Sequence, residues 1–252
     1  MTNPWVLRKR LSTDGFSLIE VLISLAITLA VVLLVHQTSR ALLAIYHTES
    51  KAVELSSMAS RALDDMTVEI ARAGYGMGEG VASVAPSMHD RPLSTSEIVI
   101  RSNADGFTSA LSNQTSPDTK QVAVRQAGRF EPGNMVLVTD LSGLTERARV
   151  TSTGASSLWL ESLDNQGGAL RSSFRPERSA RILKLREIHY YLKSEPDGKV
   201  LVKRINGAPE GSRILARRVE ALHFEYLDDS GATLSPASPD LTDHLRTVRV
   251  IL

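Results

Sequence analysis

The chain has no cysteine among its 252 residues, which excludes disulfide bridges, thiolate metal sites and thiol catalysis. Its stability must therefore come from the burial of apolar side chains. Aromatic residues make up only 5% of the chain, charged residues make up 23%, and the formal net charge is +1. Because there is no basic excess, we expect no specific nucleic-acid partner.

Helix-breaking residues are missing from a long N-terminal stretch. No proline occurs between Pro4 and Pro86, and no glycine occurs from Phe16 to Ala73. Because glycine and proline are the strongest helix breakers, the 58 residues from 16 to 73 predict one uninterrupted helix of roughly 87 Å. Gly74 then supplies a stop signal.

Charge is nearly absent from the first part of this stretch. Residues 16–35 are almost wholly apolar and long enough to cross a bilayer core as a helix. Their one carboxylate is Glu20, and an unpaired charge in hydrocarbon costs at least a few kcal/mol, which predicts a functional role. Upstream, the basic cluster Arg8, Lys9 and Arg10 predicts that the leader stays cytoplasmic while the rest is exported.

The junction between leader and apolar segment carries a motif. Residues 15–27 read Gly-Phe-Ser-Leu-Ile-Glu-Val-Leu-Ile-Ser-Leu-Ala-Ile. This resembles the prepilin-type cleavage and methylation motif of type IV pilins and of the pseudopilins of type II secretion. The resemblance implies that the prepilin peptidase cuts after Gly15 and that Phe16 becomes the N-methylated new terminus. It also implies that Glu20 pairs with the N-terminal amine of a neighbouring subunit. An ordinary signal-anchor with a stray glutamate is the alternative.

The predicted organisation has four parts. Residues 1–15 form a cleaved prepilin leader, 16–35 a transmembrane helix, 36–74 its amphipathic continuation and 75–252 a β-rich periplasmic head. Removal of the leader takes away a net charge of +2 and leaves the mature chain near −1.

The second half of the predicted helix is amphipathic. Apolar residues recur at three- and four-residue steps, which predicts an apolar stripe packed on a following sheet: Leu55, Met58 or Ala59, Ala62 or Leu63, Met66 and Ile70. The charged residues of this segment are expected largely on the opposite side, namely Arg61, Asp64, Asp65, Glu69 and Arg72.

Beyond about residue 97 the pattern favours strands, and residues 103–119 read as a loop. The predicted strands are 98–100, 122–124, 135–138, 147–150, 158–160, 182–192, 200–204, 219–227 and 245–252. Turns are expected at Pro196-Asp197-Gly198 and at Asp228-Asp229-Ser230-Gly231. A helical block before a block of strands predicts an α+β fold, with the long helix packed on a mainly antiparallel sheet head. Pilin-like proteins share this architecture.

Later stretches narrow the resemblance. Residues 62–75 and 130–140 resemble PilW-type minor pilins, while 219–226 and 245–250 resemble both PilW and the pseudopilin GspJ. The resemblance implies a minor type IV pilin that primes pilus assembly and sits at the tip, with roles in adhesion and twitching motility. Its partners would be other minor pilins, the major pilin, the prepilin peptidase and the inner membrane. The alternative is a GspJ-like minor pseudopilin.

The sequence shows no catalytic motif, and we expect no enzyme activity, cofactor or metal site. The six histidines lack the spacing of a helical zinc site: they are His36, His47, His89, His189, His223 and His244. Asp228-Asp229-Ser230-Gly231 lacks the spacing of a calcium loop, so a plain turn is expected. Arg217 and Arg218 are expected on a solvated strand edge. A membrane-anchored periplasmic enzyme or binding module is a third alternative.

Overall fold

The computed structural model describes residues 17–78, 81, 83–84, 87–88, 91–92, 94–207, 211–235 and 245–252. Within these residues one α-helix precedes thirteen β-strands, and every strand pairing is antiparallel. The chain divides into two compact units, residues 1–54 and residues 55–252. The second unit is called the sheet domain below. The α+β class expected from the sequence is confirmed.

Helix α1 spans Leu18–Ala71 and is 54 residues long. This length agrees with the stretch that lacks glycine and proline. The chain leaves the helix at Gly74, whose φ of +77° is a left-handed conformation that glycine adopts without strain. The Gly74 amide donates to the carbonyl of Arg101 at 2.8 Å, which ties the end of the helix to the sheet domain.

The strands follow in chain order: β1 (Ser87–Met88), β2 (Arg91–Pro92), β3 (Glu97–Ala110), β4 (Gln121–Ala123), β5 (Met135–Thr139), β6 (Thr145–Thr153), β7 (Ser157–Ser162), β8 (Arg181–Glu195), β9 (Gly198–Ile205), β10 (Ser212–Arg217), β11 (His223–Leu227), β12 (Thr233–Leu234) and β13 (Thr247–Ile251). The largest sheet has the order β10-β9-β8-β5-β6-β7-β4, and β3 also pairs with β8. A smaller sheet has the order β12-β11-β13, and β1 pairs with β2.

The C-terminal part of α1 packs within the sheet domain, as its apolar stripe predicts. Ala62 and Met66 are fully buried in a cluster that includes Tyr190 of β8, Leu201 of β9 and Phe224 of β11. Because apolar side chains on three strands face the same helical stripe, this cluster is the core that positions the helix on the sheet.

Two predicted turns are confirmed. The β8–β9 hairpin pairs Glu195 with Gly198, so Pro196 and Asp197 form its tip. In the second turn the Asp228 carboxylate accepts hydrogen bonds from the Ser230 amide at 2.8 Å and the Ala232 amide at 2.9 Å. The aspartate oxygen therefore satisfies backbone donors of its own turn, as expected for a plain turn.

Two local predictions were wrong, and one strand was missed. The predicted loop 103–119 begins as strand, because β3 continues to Ala110 after its register shifts between Asn103 and Thr108. β10 was not predicted. The predicted strand 219–227 starts only at His223, because Arg218 has a φ of +59° and turns the chain between β10 and β11.

Candidate functional site

The first candidate site is the N-terminal end of α1. Glu20 is exposed in the first turn of the helix, and its Oε2 accepts a hydrogen bond from the Ser17 amide at 3.2 Å. Ser17 and Glu20 have the spacing of a capping box, in which a glutamate satisfies an amide at the helix start. A negative charge here also opposes the positive end of the helix dipole.

Glu20 keeps one oxygen available for a further contact. Among the described residues only its Oε2 atom accepts a hydrogen bond, so Oε1 remains open. The proposed cleavage site at Gly15 and Phe16 lies outside the described residues, as do Arg8, Lys9 and Arg10.

The apolar segment that follows Glu20 is exposed along its whole described length. Each large hydrophobic side chain from Leu18 to Val35 is at least half exposed, and Leu18 itself is 80% exposed. α1 is long and apolar enough to cross a membrane, which is compatible with single-pass anchoring. The Thr28 hydroxyl is satisfied within the helix, since it donates to the Ser24 carbonyl at 2.7 Å.

The second candidate site is a cluster of charged side chains between α1 and the largest sheet. We call it the helix–sheet charge cluster, and its members are Asp65, Glu69, Arg186, Tyr190 and Lys203. Glu69 is buried at 6% exposure and Lys203 at 7%. Arg186 and Tyr190 lie on the same face of β8, and Lys203 lies opposite Tyr190 on the neighbouring strand β9. The strand pairing therefore brings all three sheet residues beneath the helix.

The carboxylates of α1 share the cations of the sheet. Lys203 Nζ donates to Glu69 Oε1 at 2.9 Å and to Asp65 Oδ2 at 2.9 Å. Arg186 makes a two-pronged contact with Glu69, with both nitrogen–oxygen distances at 2.7 Å. Tyr190 donates its hydroxyl to Asp65 Oδ2 at 2.6 Å. Such paired, charge-assisted bonds are the strong class of hydrogen bond and fix the helix in rotation and register.

The protonation states follow from these contacts. Burial alone would raise the pKa of Glu69, but the hydrogen bonds from Arg186 and Lys203 outweigh burial and hold its pKa below the usual range. For Tyr190, burial and the bond to Asp65 both raise the pKa. At neutral pH Glu69 and Arg186 are thus ionised and neutralise each other, while the Tyr190 phenol remains protonated.

The position of Glu69 corrects the sequence prediction, which put it on the polar side of the helix. Glu69 follows Ala62 by seven residues and Met66 by three, so it lies on the same stripe as these buried side chains. The spacing therefore contained a signal for its burial. The partners of Glu69 could not be predicted from the sequence, because Arg186 and Lys203 lie more than a hundred residues away in the chain.

A third group of charges includes residues of β8 that alternate with Arg186 and Tyr190 and therefore lie on the opposite face of the strand. Glu187 is buried between Arg101 of β3, at 2.9 Å, and Arg147 of β6, at 3.2 Å. Arg147 also bonds Asp164 through its Nε at 2.9 Å. His189, also on β8, bonds Glu97 at 3.2 Å, and burial lowers its pKa despite this contact. These contacts connect β3, β6 and β8, and they give Glu187 two cationic partners.

No group of three or more histidine, aspartate or glutamate side chains is arranged to hold a metal ion within the described part of the chain. His89 and His244 lie outside the described residues. His36 and His47 are exposed on α1, and His223 begins β11.

Comparisons with known proteins do not identify a family for this chain. No protein-family profile matches the chain, and no curated protein matches it. Among solved structures, the Gp54 tailspike of Acinetobacter baumannii bacteriophage AP22, in complex with A. baumannii capsular saccharide, matches with a TM-score of 0.28 and 13% identity. The match covers 34% of this chain and 15% of the tailspike, and at this level the likeness carries no argument.

Proposed function

We propose that this chain is a pilin-like assembly subunit, and specifically a minor type IV pilin of PilW type. The observation that carries the proposal is Glu20, a lone carboxylate at the start of an exposed apolar helix and five residues after Gly15. In this account the prepilin peptidase cuts after Gly15 and methylates Phe16. The mature subunit waits in the inner membrane with its head in the periplasm and then joins the pilus tip.

Electrostatics gives Glu20 its role in assembly. After cleavage, the ammonium group of Phe16 and the carboxylate of Glu20 are separated by about one helical turn. In a medium of low dielectric constant each charge is costly alone and much less costly when paired. The open Oε1 atom can accept a neighbour's ammonium while Oε2 still caps its own helix. Correctly staggered neighbours are thereby stabilised, and these would be other minor pilins or the major pilin.

Processing is the first test. The full-length protein with Gly15→Leu, co-expressed with a prepilin peptidase, should keep its leader, whereas the unaltered chain should become shorter on a gel. Thr13→Leu is the matched control, because it adds the same kind of bulk within the leader but leaves the cleavage glycine in place. Normal shortening of the Gly15→Leu chain would contradict the proposal.

Assembly is the second test. Glu20→Ala should reduce recovery of the subunit in sheared fibres by about tenfold or more, since an unmatched ammonium then remains in the apolar packing. Glu49→Ala is the control, because it removes an exposed carboxylate of the same helix beyond the apolar segment. Equal recovery of both variants would argue against pairing through Glu20.

Gene deletion separates the two kinds of assembly. Loss of twitching or DNA uptake would support a pilus subunit. Loss of exoprotein secretion, with twitching intact, would instead favour a GspJ-like pseudopilin, the alternative that the residues 219–226 and 245–250 suggest.

A further inference from the structure

A groove on the sheet domain is not explained by the proposed assembly role. It has a volume of about 410 Å³, and Leu55 and Ala59 of α1 line it together with Ala216 and Val219 near the end of β10. Ile251, at the end of β13, also lines it and is 48% exposed. Concave sites lined mainly by apolar side chains are the usual form of a binding site. We call it the arginine-rimmed groove because Arg217 and Arg218 also line it.

Two exposed arginines, Arg217 and Arg218, line the groove beside its apolar residues. Glu220 is the one acidic side chain among its described lining residues. Arg217 reaches Glu195 at 3.5 Å, with 60% of its own side chain in solvent. Arg218 pairs with no carboxylate among the described residues. The rim therefore carries cationic groups that a ligand of opposite charge could neutralise.

A neighbouring depression extends the positive rim. Arg61 of α1 and Arg213 of β10 line it, and neither pairs with a carboxylate in the described part of the chain. Asp65 also lines this depression, but its carboxylate is already bound by Lys203 and Tyr190. The acid is thus not available to cancel the arginines beside it.

The backbone of Arg218 adopts a conformation that is unusual for a residue with a side chain. Its φ of +59° is a left-handed conformation that costs a non-glycine residue roughly 1 kcal/mol or more. Glycine would occupy this position at lower cost, yet the chain places a long cationic side chain there. Residues held in such sparsely populated backbone conformations are common at active sites and ligand-binding sites.

The sheet edges beside the groove favour recognition by side chains. β10 is the edge strand of its sheet, and its pairing with β9 shifts register between Ile214 and Ala216. Such a bulge interrupts the regular ladder that an added strand would need. A partner would therefore be held by apolar contacts inside the groove and by charge pairs at its rim.

From these observations we infer that the arginine-rimmed groove binds a segment of another polypeptide in which one or two apolar side chains are flanked by aspartate or glutamate. The apolar side chains would fill the groove beside Leu55 and Ala59, and the carboxylates would meet Arg217 and Arg218. A second copy of the chain is a poorer occupant, because a two-fold contact would bring the two arginine rims against each other. The inference does not depend on the proposed assembly role.

The test uses full-length protein in detergent micelles and three short fluorescent peptides. All three carry the same leucine and phenylalanine, and their flanking positions are glutamate, glutamine or lysine. The glutamate peptide should bind about tenfold more tightly than the glutamine peptide, and added salt should reduce this difference. The lysine peptide should bind most weakly. Equal binding of the glutamate and glutamine peptides would overturn the inference.

Variants then locate the binding. Arg217→Glu with Arg218→Glu should weaken binding of the glutamate peptide by about tenfold or more. Arg175→Glu with Arg178→Glu is the matched control, since it reverses two exposed arginines elsewhere on the sheet domain and should leave affinity unchanged. Leu55→Gln should weaken the glutamate and glutamine peptides alike, because it removes a shared apolar contact. Unchanged thermal unfolding would verify that each variant folds.

Three results would overturn the inference. One is an equal loss of peptide binding in the control pair. Another is self-association of the protein that the Arg217/Arg218 variant abolishes, which would make a second copy the occupant. The third is binding to vesicles of anionic lipid, lost in the same variant, without binding of the glutamate peptide.

Discussion

The apolar part of α1 is exposed, whereas its more highly charged part is partly buried. Residues 18–54 include the most apolar segment of the chain, yet every one of them is exposed. Residues 55–71 are more highly charged, yet they bury Ala62, Met66 and Glu69 within the sheet domain. The first part therefore has no burial partners among the described residues, and its apolar surface is compatible with single-pass anchoring in a membrane. The second part has its partners within the chain.

The carboxylates of the two parts differ in the same way. Glu69 receives hydrogen bonds from Arg186 and Lys203 and is neutralised internally. Glu20 has one bond, from the Ser17 amide of its own helix. A charge that enters an apolar environment requires a counter-charge, and in the proposed function a processed N-terminus would supply it for Glu20. The comparison thus separates a structural acid from a proposed assembly acid.

The largest effect on stability should come from shortening a buried side chain in the second part. Met66→Ala should lower the free energy of unfolding of the sheet domain by about 2–5 kcal/mol, because Met66 is 0% exposed and the change leaves a cavity. Leu33→Ala, at a side chain that is 52% exposed, should change it by no more than about 0.5 kcal/mol. Denaturant unfolding followed by near-UV circular dichroism measures both. Equal effects would erase the contrast between the two parts of the helix.

A second effect should follow from removing the shared cation of the helix–sheet charge cluster. Lys203→Met should cost about 3 kcal/mol, because Glu69 and Asp65 then lose a buried counter-charge. Lys199→Met is the control on the same strand, since Lys199 is exposed and, among the described residues, its ammonium donates only to the Glu220 carbonyl. The same unfolding measurement applies. A Lys203 variant as stable as the Lys199 variant would show that the cluster does not hold the helix.

Low pH should reduce the stability of the sheet domain by protonating Glu69. Its pKa is lower in the folded protein than the ordinary value of about 4.3, so the ionised carboxylate stabilises the fold above that value. This contribution is lost as pH falls through the lowered pKa. Between about pH 6 and about pH 3, unfolding free energy should therefore decrease less steeply for Glu69→Gln than for the unaltered chain. Glu177→Gln, at an exposed residue, is the control, and its free energy of unfolding should decrease with pH as steeply as that of the unaltered chain.

The smallest effect should come from one hydroxyl group. Tyr190→Phe removes the 2.6 Å bond to Asp65 and should lower the free energy of unfolding by about 1 kcal/mol. Tyr75→Phe, at a side chain that is 67% exposed, should have almost no effect. A cost at Tyr190 no greater than that at Tyr75 would mean that Asp65 is held by Lys203 alone.

The sequence predicted best those features that arise from local interactions. The absence of glycine and proline predicted α1 to within two residues at each end, 16–73 against Leu18–Ala71. Proline, aspartate and glycine at 196–198 predicted the tip of the β8–β9 hairpin. In both cases a backbone preference of neighbouring residues is sufficient to determine the structure.

Features that depend on distant partners were not predictable. β10 was missed because Arg213 and Arg217 interrupt any simple alternation, and only pairing with β9 makes this segment a strand. The continuation of β3 was missed because the residues between Asn103 and Thr108 favour a turn, which the sheet accommodates as a shift in register. The burial of Glu69 likewise depends on cations supplied by β8 and β9.

The most direct test of the central claim is the intact mass of the protein extracted from membranes of cells that contain a prepilin peptidase. The account predicts a chain that begins at Phe16 and carries one added methyl group on its N-terminal amine. A mass that still includes residues 1–15, or a chain cut on the far side of the apolar segment, would contradict it.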